Sequence, residues 1–391
     1  MPLFCLQLLY LCLNLHKLFF GMKYFIIAGE ASGDLHASNL MKGLKQTDSE
    51  AEFMFFGGDL MLQQGGTLVK HYKEMAFMGF VEVLQNLRQI AKNLRLCKKS
   101  IDEFNPDVVI LVDYPGFNLR IAKFAKLAGY KVVYYIAPKV WAWKESRVKQ
   151  LKNFVDKLII IFPFEEEYFR LKGINAAYLG NPLVDTLNSE HAENDFIQKN
   201  KLPQKPIVSL LAGSRKQEIK YNLPVMLSLV DKMPQYQFVI AGAPSLNMAD
   251  YEPYLGKSRV NVVFNQTQSL LRNSTVSVVT SGTATLEAAL LNTPEVVCYR
   301  GSTLSMLIAW MVIRIKYISL VNLIMDREVV KELIQFKLNP NSLFSEVSCL
   351  LPGKQSRNEM IDQFAALRTK LGEEGTSNRV ANFIVEFITQ N

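Results

Sequence analysis

Residues 23–37 read KYFIIAGEASGDLHA: an apolar run, a turn with two glycines, and the beginning of a helical pattern. The same order of apolar run, Gly, Pro, Ser or Asp, and helical pattern returns along the chain. Runs that are apolar throughout indicate strands covered on both faces, as in a parallel sheet flanked by helices. The predicted strands are Tyr24–Ala28, Phe53–Phe56, Val108–Val112, Val132–Ile136, Leu158–Phe162, Ile207–Leu211, Phe238–Ala241, Val260–Phe264, Val276–Thr280 and Glu295–Tyr299.

The alternation of strands and helices in both halves predicts an α/β protein with two doubly wound parallel-sheet domains. A length of 391 residues fits two domains, at roughly 150 residues each. We place the seam near residues 181–205, where proline and mixed charges precede a new strand. The expected division is an N-terminal domain over residues 22–185, a second over 186–345, and C-terminal helices over 346–391.

The composition excludes several classes of protein. With 49% hydrophobic residues, disorder is not expected. The five cysteines form no C-x-x-C pair and the four histidines lack metal-ligand spacing, so we expect neither a disulfide framework nor a metal site. A net charge of +8 favours anionic partners such as nucleotides, phosphorylated substrates or acidic lipid headgroups. The longest basic cluster, Arg95–Lys99, is too short to indicate nucleic-acid binding.

Three segments are unusually apolar. Residues 1–21 carry a single charge, Lys17, and lack the basic start and cleavage site of a signal peptide. They are interpreted as an apolar leader or as sequence upstream of a start at Met22, and the strand that follows Met22 favours the second interpretation. Met75–Leu94 and Thr303–Met325 are apolar at helical spacing, which is typical of core packing or of a lipid-facing surface.

Ligands of open parallel sheets bind at the carboxyl ends of the strands, so the loops after the strands are candidate sites. In the first half, the loop from Gly29 to Asp34 is either a ligand loop or a plain turn with Asp34 as helix cap. Asp113 ends a buried strand, where burial raises the pKa of a carboxyl toward that of a general base; a capping role is the alternative. Trp141 and Trp143 lie among basic residues. This pattern fits either a site for an anionic, amphipathic ligand or the solvated face of a helix.

Two loops of the second half combine glycine with hydroxyl and basic side chains. Gly213, Ser214 and Arg215 stand at a predicted helix start, where an arginine and free N–H groups suit a diphosphate. In the second loop, Ser281, Gly282 and Thr283 precede a strong helix former, and Glu287 lies one turn further on, placed to accept hydrogen bonds from sugar hydroxyls. A plain turn is the alternative for the second of these loops. The sequence contains no Asp-x-Asp that would hold a divalent metal.

Collinear motifs of this chain resemble those of the lipid-A-disaccharide synthase family. The resemblance extends from about Met22 to about residue 385 and leaves residues 1–21 outside it. Besides the loop around Asp113, the motifs are AGEASGDLHA (28–37), FMGFVEVL (77–84), P-x-VWAW (138–143), FPFE (162–165), AGSRKQEI (212–219), SGTATLE (281–287) and NLIMDREVVKEL (322–333).

The resemblance implies a GT-B glycosyltransferase whose two Rossmann-like domains face a cleft. It implies inverting transfer of a diacylglucosaminyl unit from UDP-2,3-diacylglucosamine to 2,3-diacylglucosamine 1-phosphate, giving lipid A disaccharide 1-phosphate and UDP. No metal or other cofactor is implied. The implied place of work is the cytoplasmic face of the inner membrane, with the protein peripheral to it, and a homodimer is possible because the C-terminal region is exchanged between protomers in some members. Otherwise residues 346–391 are expected to pack back on the first domain.

The resemblance also assigns roles to particular residues. Asp113 is the candidate base for the acceptor 6-hydroxyl, and four loop residues would shape the acceptor side: Glu30, Ser32, Gly33 and Asp34. Arg215 would neutralise the diphosphate of UDP together with Gly213, Ser214, Ser281, Gly282 and Thr283, with Glu287 near the ribose. Asn322 and Arg327 lie in the last motif and would complete the site of a neighbouring protomer.

The chain departs from the family pattern at three positions. Ala212 replaces the usual proline before Gly-Ser-Arg, which would loosen the turn. Asn181 stands where many members have histidine, so no role is carried over to it. Lys139 replaces a common glutamine and would add a contact to an anion.

Two other functions fit the pattern of loops. An enzyme acting on a soluble UDP-N-acetylhexosamine, such as an epimerase, would share the sheets and the diphosphate loops. Its soluble substrate would not require the apolar segments, which speak against this function. A membrane-associated nucleotide-sugar binder without catalytic activity is the third hypothesis.

Overall fold

A computed structural model describes residues 21–75, 86–142, 144–189, 195–256, 260–302 and 315–390. Residues 1–20 of the leader or upstream segment, half of the apolar segment Met75–Leu94 (residues 76–85), the beginning of Thr303–Met325 and Trp143 lie outside the described residues. The chain divides into two compact units. The first extends to Pro182 and includes the residues from Glu374 onward, and the second extends from Leu183 to Glu373.

The first unit contains a seven-stranded parallel sheet in the order β3-β2-β1-β4-β5-β6-β7. Its strands are β1 (Lys23–Ala28), β2 (Glu52–Gly57), β3 (Thr67–His71), β4 (Val108–Val112), β5 (Lys131–Tyr135), β6 (Lys157–Ile160) and β7 (Ala176–Tyr178). The helices are α1 (Ala31–Thr47), α2 (Asp59–Gln63), α3 (Leu87–Phe104), α4 (Pro115–Leu127), α5 (Val148–Phe154) and α6 (Phe164–Leu171).

The second unit contains a six-stranded parallel sheet in the order β10-β9-β8-β11-β12-β13. Its strands are β8 (Ile207–Leu211), β9 (Gln237–Gly242), β10 (Val260–Phe264), β11 (Ser274–Thr280), β12 (Glu295–Tyr299) and β13 (Lys331–Ile334). From α7 (Pro182–Ser189) onward the helices are α8 (Phe196–Lys199), α9 (Lys216–Leu227), α10 (Leu229–Lys232), α11 (Glu252–Leu255), α12 (Thr267–Arg272), α13 (Thr283–Leu290), α14 (Leu320–Met325), α15 (Pro340–Cys349), α16 (Gln355–Leu371) and, returning to the first unit, α17 (Thr376–Thr389).

Both faces of the interior strand β1 are buried, as the apolar run Tyr24–Ala28 predicts. Phe25 and Ile27 belong to the core on one face of the sheet, and Tyr24 and Ile26 belong to the core on the other. Side chains alternate between the faces of a strand, so a run that is apolar on both faces needs helices on both sides.

The C-terminal helix α17 packs on the first unit. Val380 and Ile384 share a core with Leu40 and Leu44 of α1. The ammonium group of Lys131 donates to the carbonyls of Phe387 at 3.2 Å and Ile388 at 3.0 Å, at the end of the helix, where carbonyl groups lack partners within the helix. Residues 346–391, expected as one segment, thus contribute to both units.

All ten predicted strands are present, and the structure adds β3, β7 and β13. Each added strand lies at an edge of its sheet. An edge strand has one unpaired side and tolerates charged residues, so Lys70 in β3 and Lys331 in β13 interrupted the apolar pattern. Among the helices of the described segments, none combines the length and the apolar composition needed to cross a bilayer.

Candidate active site

Each sheet has a point where its strand order reverses. In the first sheet β1 pairs with β4, so that Ala28 lies beside Val112 and the loops following these residues meet. In the second sheet β8 pairs with β11, and Leu211 lies beside Val279. Ligands of doubly wound sheets bind at these reversal points. The sequence-predicted loops after β1, β4, β8 and β11 therefore lie at the expected edges of the sheets.

Asp113 lies in an unusual turn immediately after β4. Asp113 and Tyr114 have φ angles of 44° and 47°, a left-handed conformation that non-glycine residues adopt rarely and often at functional sites. The carbonyl oxygen of Asp113 accepts hydrogen bonds from Nδ2 of Asn118 at 2.8 Å and from the hydroxyl of Tyr134 at 2.7 Å. Asn118 and Tyr134 are fully buried, so two side chains from the interior of the first unit hold this turn in place.

The Asp113 carboxyl has the electrostatic character expected of a base. The residue is half-buried, and its burial raises the pKa of the carboxyl above the usual range. The positive charges of Lys139 and Arg147 oppose that rise, as does a hydrogen bond from the Tyr114 N–H. A carboxylate with a raised pKa, reached by solvent on one side, can accept a proton from a hydroxyl.

The loop after β1 contacts the Asp113 turn. Glu30 is half-buried, and the pKa of the Tyr114 hydroxyl rises to about 12 through burial and then through the negative charge of Glu30. Ser32 is exposed in the first turn of α1, and Gly33 is buried against Ala28. The Glu30 and Ser32 side chains are thus placed on the same sheet edge as Asp113.

Asp34 has a structural role. Its buried carboxylate accepts hydrogen bonds from the backbone N–H groups of Gly58 at 2.7 Å, Leu60 at 3.1 Å and Met61 at 3.2 Å. These donors lie at the start of α2, where N–H groups lack partners within the helix. Asp34 therefore ties two loops together, and its part in shaping the acceptor side stays a prediction.

The loop of the second unit that was predicted to bind a diphosphate contains a charged residue that the sequence did not single out. Gly213 has a φ of 112°, a conformation suited to glycine. The Ser214 N–H donates to Oε2 of Glu218 at 2.8 Å, and Nη1 of Arg215 lies 3.8 Å from Oε1 of the same carboxylate. Arg215 is exposed. The carboxylate of Glu218 thus holds the donors that were predicted to bind a diphosphate, and its position three residues after Arg215, in the first helical turn, was the available signal.

The loop after β11 is fixed at one end and exposed at the other. The hydroxyl of Ser281 donates to the carbonyl of Ile318 at 2.7 Å, and the Thr285 hydroxyl donates to the carbonyl of Gly282 at 2.9 Å. Gly282 and Thr283 are exposed at the start of α13, and Glu287 is half-buried within that helix. Exposed N–H groups at a helix start can bind an anion.

The two residues expected to complete a neighbour's site differ in their surroundings. Asn322 is fully buried, and its Oδ1 accepts from the N–H groups of Val329 at 2.7 Å and Val330 at 3.0 Å. Its Nδ2 donates to Glu332 at 2.9 Å. Asn322 therefore holds a turn of its own chain, and the contribution of this region to a neighbouring protomer's site stays a prediction. Arg327 is exposed and donates to Gln363.

The residues that the structure describes include no group of three or more His, Cys, Asp or Glu side chains arranged to hold a metal ion.

A family model described as lipid-A-disaccharide synthetase matches residues 24–386. The chain belongs to the lipid-A-disaccharide synthase family. It is 36% identical to the lipid-A-disaccharide synthase of Geobacter metallireducens, over 94% of this chain and 97% of the relative. It is 35% identical to that of Myxococcus xanthus, with the same shares of the two chains covered. These relatives are glycosyltransferases, and this chain is an enzyme of the same family.

Solved structures agree on the fold. The UDP-GlcNAc 2-epimerase of Neisseria meningitidis, solved with UDP-GlcNAc bound, superposes with a TM-score of 0.67 at 14% identity, covering 95% of this chain and 100% of that one. The glycosyltransferase of kitacinnamycin superposes with a TM-score of 0.61 at 14% identity, covering 94% and 99%. The predicted fold class, with two doubly wound α/β domains of the GT-B type, is confirmed. At this identity the epimerase shares architecture with the synthase family, and no activity is carried over.

Two of the residues that depart from the family pattern are buried. Ala212 is buried immediately after β8. Asn181, where many members of the synthase family have histidine, is buried and donates from Nδ2 to the carbonyl of Ile161 at 3.0 Å.

Proposed function

We propose that this enzyme transfers the diacylglucosaminyl unit of UDP-2,3-diacylglucosamine to the 6-hydroxyl of 2,3-diacylglucosamine 1-phosphate, with inversion, giving a β-1,6-linked lipid A disaccharide 1-phosphate and UDP. Membership of the family supports the reaction. The position of Asp113 carries the assignment of its base: a carboxyl of raised pKa at the reversal point of the first sheet, in a turn held by buried Asn118 and Tyr134.

In the proposed reaction, the Asp113 carboxylate accepts the proton of the 6-hydroxyl as its oxygen attacks the anomeric carbon of the donor. The bond between that carbon and the diphosphate oxygen breaks, and UDP leaves with the electron pair. The attack comes from the face opposite the leaving group, which inverts the configuration. Burial helps because it raises the proton affinity of the carboxylate.

The second unit would bind UDP. Arg215 would pair with the diphosphate, since a guanidinium group donates two parallel hydrogen bonds to phosphate oxygens. The exposed N–H groups of Gly282 and Thr283 would add donors at the start of α13, with Ser281 holding the loop in place. Glu287 would accept from the ribose. The charge that develops on the leaving diphosphate would be stabilised by donors already in position.

Replacing Asp113 by asparagine tests this function. The enzyme is incubated with both lipid substrates, the disaccharide is quantified by mass spectrometry with and without chelator, and UDP binding is measured by calorimetry. We expect D113N to lose turnover by at least about a hundredfold, as for removal of a general base, and to retain UDP affinity. The control D102N removes an equal charge from an exposed position of the same unit. Turnover retained in D113N excludes Asp113 as the base.

A membrane surface is the proposed source of both substrates. Helix α3 carries the exposed basic residues Arg88, Lys92, Arg95 and Lys99, whose spacing places them on one face, and the neighbouring Leu96 is also exposed. Such a face suits anionic lipid headgroups at the cytoplasmic side of the inner membrane. We expect vesicles with anionic lipid to bind the protein more than neutral vesicles, and the double variant K92E/R95E to lose the difference. Equal binding of the variant contradicts this surface. The homodimer stays a prediction, which light scattering of purified protein tests.

A further inference from the structure

A second carboxyl lies buried in the first unit, and the proposed reaction does not use it. Glu165, in the first turn of α6, has an exposed fraction of 1%. Its Oε1 accepts the indole N–H of Trp141 at 2.8 Å, and its Oε2 accepts the backbone N–H groups of Phe162 at 3.1 Å and Ile161 at 3.3 Å. One side chain therefore joins the end of β6 to the segment that follows β5.

That segment, residues 136–142, has little regular structure of its own. Ile136 at its start has a positive φ of 65°, and Lys144, two residues beyond its end, has a positive φ of 54°. Its side chains are held from the α6 side: the Trp141 ring packs edge-on against Phe164 at 5.0 Å, and Nζ of Lys139 lies 5.9 Å from the centre of the Phe162 ring. The contacts of Glu165 and its neighbours thus determine where Lys139 stands.

The positive charge of Lys139 acts on both carboxyls, Asp113 and Glu165. Its ammonium group lowers the pKa of Asp113 and also that of Glu165. The other groups facing Asp113 are Arg147, which also lowers its pKa, and the buried hydroxyl of Tyr134. Tyr178 on β7 faces Glu165, whose charge raises the pKa of that hydroxyl.

We propose that Glu165 is a positioning residue for the proton transfer assigned to Asp113: it anchors Trp141, and through residues 136–142 it holds Lys139 beside Asp113. This proposal rests on the proposed function of Asp113. It extends that function because a second ionisable group, Glu165, then influences how strong a base Asp113 is.

We expect the charge of Glu165 to act on Asp113 through Lys139, the cation that opposes the rise in the pKa of both carboxyls. Burial raises the pKa of Glu165 to about 7, against the opposing effect of its hydrogen bonds and of Lys139. Below that pH Glu165 is neutral and the charge of Lys139 acts fully on Asp113, which makes Asp113 a weaker base. Above it, the Glu165 carboxylate offsets Lys139 and Asp113 becomes a stronger base. Turnover should therefore rise through neutral pH, in addition to the acid limb that belongs to Asp113.

The variant E165Q removes the ionisation and keeps an oxygen that can accept from Trp141. We expect kcat of the wild type to show an inflection near pH 7, and E165Q to lose it while KM for the UDP-sugar stays within about twofold. At pH 8 we expect kcat of E165Q to fall by about three- to tenfold, the effect of a change of up to one unit in the pKa of the base. The matched control E166Q removes a carboxylate from the exposed neighbouring position and should leave the profile unchanged.

A second readout does not depend on turnover. Tryptophan emission of the protein without substrate should change with a midpoint near pH 7, because the indole N–H of Trp141 donates a hydrogen bond to the titrating carboxyl of Glu165. That transition should be absent in E165Q and in W141F and present in E166Q. W141F also removes the anchor while keeping the carboxyl, so its kcat should fall even if E165Q does not fold.

The outcomes separate this proposal from the function on which it rests. If D113N retains turnover, the proposed function fails. If D113N is inactive but E165Q keeps both the inflection in kcat and the emission change, the positioning role of Glu165 is overturned while the function of Asp113 stands.

Discussion

A methyl group built on Gly29 would lie 2.2 Å from Cδ1 of the Tyr114 ring. No carbon atoms approach so closely in a packed protein, so Gly29 is the residue that lets the loop after β1 lie against the turn that carries Asp113. Tyr114 cannot easily withdraw, because its hydroxyl donates to the carbonyl of Met75 at 2.9 Å and its ring stacks on Phe117. The glycine is therefore part of what fixes the Asp113 turn.

We expect the variant G29A to displace Tyr114 and to lower kcat strongly, because a small misplacement of a catalytic group can cost about a hundredfold. UDP affinity should be retained, since the proposed diphosphate loops belong to the other unit. Steady-state kinetics and calorimetry measure the two effects. The matched control is G116A: no atom lies within 4 Å of the methyl position at Gly116. Equal kcat in G29A and G116A contradicts the role assigned to Gly29.

The variant N118A should destabilise the first unit and impair turnover. Nδ2 of buried Asn118 reaches the carbonyls of Asp113 at 2.8 Å, Val112 at 3.2 Å and Ile27 at 3.4 Å. Its removal leaves buried acceptors with fewer donors, which costs about 1–3 kcal/mol of unfolding free energy. Urea unfolding measures this loss. The control R120A, at an exposed position of the same helix, should change stability by less than about 0.5 kcal/mol, and an equal loss in both variants counts against the network.

Much of the fold follows from sequence because the central strands are buried on both faces. The run Tyr24–Ala28 of β1 and the strands β4 and β8 are apolar or nearly so along their whole length and carry no charged residue, so their pattern is unambiguous. The edge strands β3 and β13 contain charged residues and were missed, because one of their sides needs no partner and their pairing depends on the rest of the sheet.

The site was predictable in position and less so in detail. Strand ends placed Asp113, Arg215 and Gly282 correctly at the carboxyl edges of the sheets. The sequence did not show which carboxylates have structural roles. Those roles depend on burial and on contacts between distant segments of the chain. Asp34 is occupied by backbone donors more than twenty residues away, and the bond from Trp141 to Glu165 likewise joins distant segments.

The variant R215A should weaken UDP binding by about 1.5–3 kcal/mol, or roughly 10- to 150-fold in Kd, the range for a hydrogen bond to a charged group. The proposed partner of Arg215 is the diphosphate, whose negative charge no other exposed cation of this loop would replace in the same bidentate geometry. Calorimetry with UDP measures the loss. The control K220A removes a positive charge from an exposed position one turn further along α9. Unchanged affinity in R215A refutes the diphosphate contact.

The variant E218Q is expected to strengthen UDP binding modestly, by about two- to fivefold. Glu218 holds the Ser214 N–H and lies near Arg215, so its carboxylate competes with the diphosphate for the same donors and repels it. Glutamine keeps an oxygen for the Ser214 N–H without the charge. The gain should shrink at high salt because charge repulsion is screened. Weaker binding in E218Q indicates that the carboxylate is required to shape the loop, contrary to this prediction.

Glu295 is the first residue of β12 and is completely buried. Neither of its carboxyl oxygens has a hydrogen-bond partner among the residues that the structure describes. Burial raises the pKa of this carboxyl well above its usual range, so we expect the folded enzyme to keep its proton to a higher pH than the unfolded chain does. In the unfolded chain its pKa returns to about 4.3.

The enzyme should therefore lose stability as the pH rises above that of the unfolded carboxyl, because the unfolded chain releases a proton that the folded chain retains. This loss amounts to up to about 1.4 kcal/mol per pH unit, until the pKa of Glu295 in the folded state is reached. The variant E295Q cannot titrate, so its stability relative to the wild type should increase between pH 5 and pH 8 in urea unfolding. The control E252Q, at an exposed position, should show no such trend. A stability difference between E295Q and the wild type that is constant over this range means that Glu295 is ionised inside the folded protein.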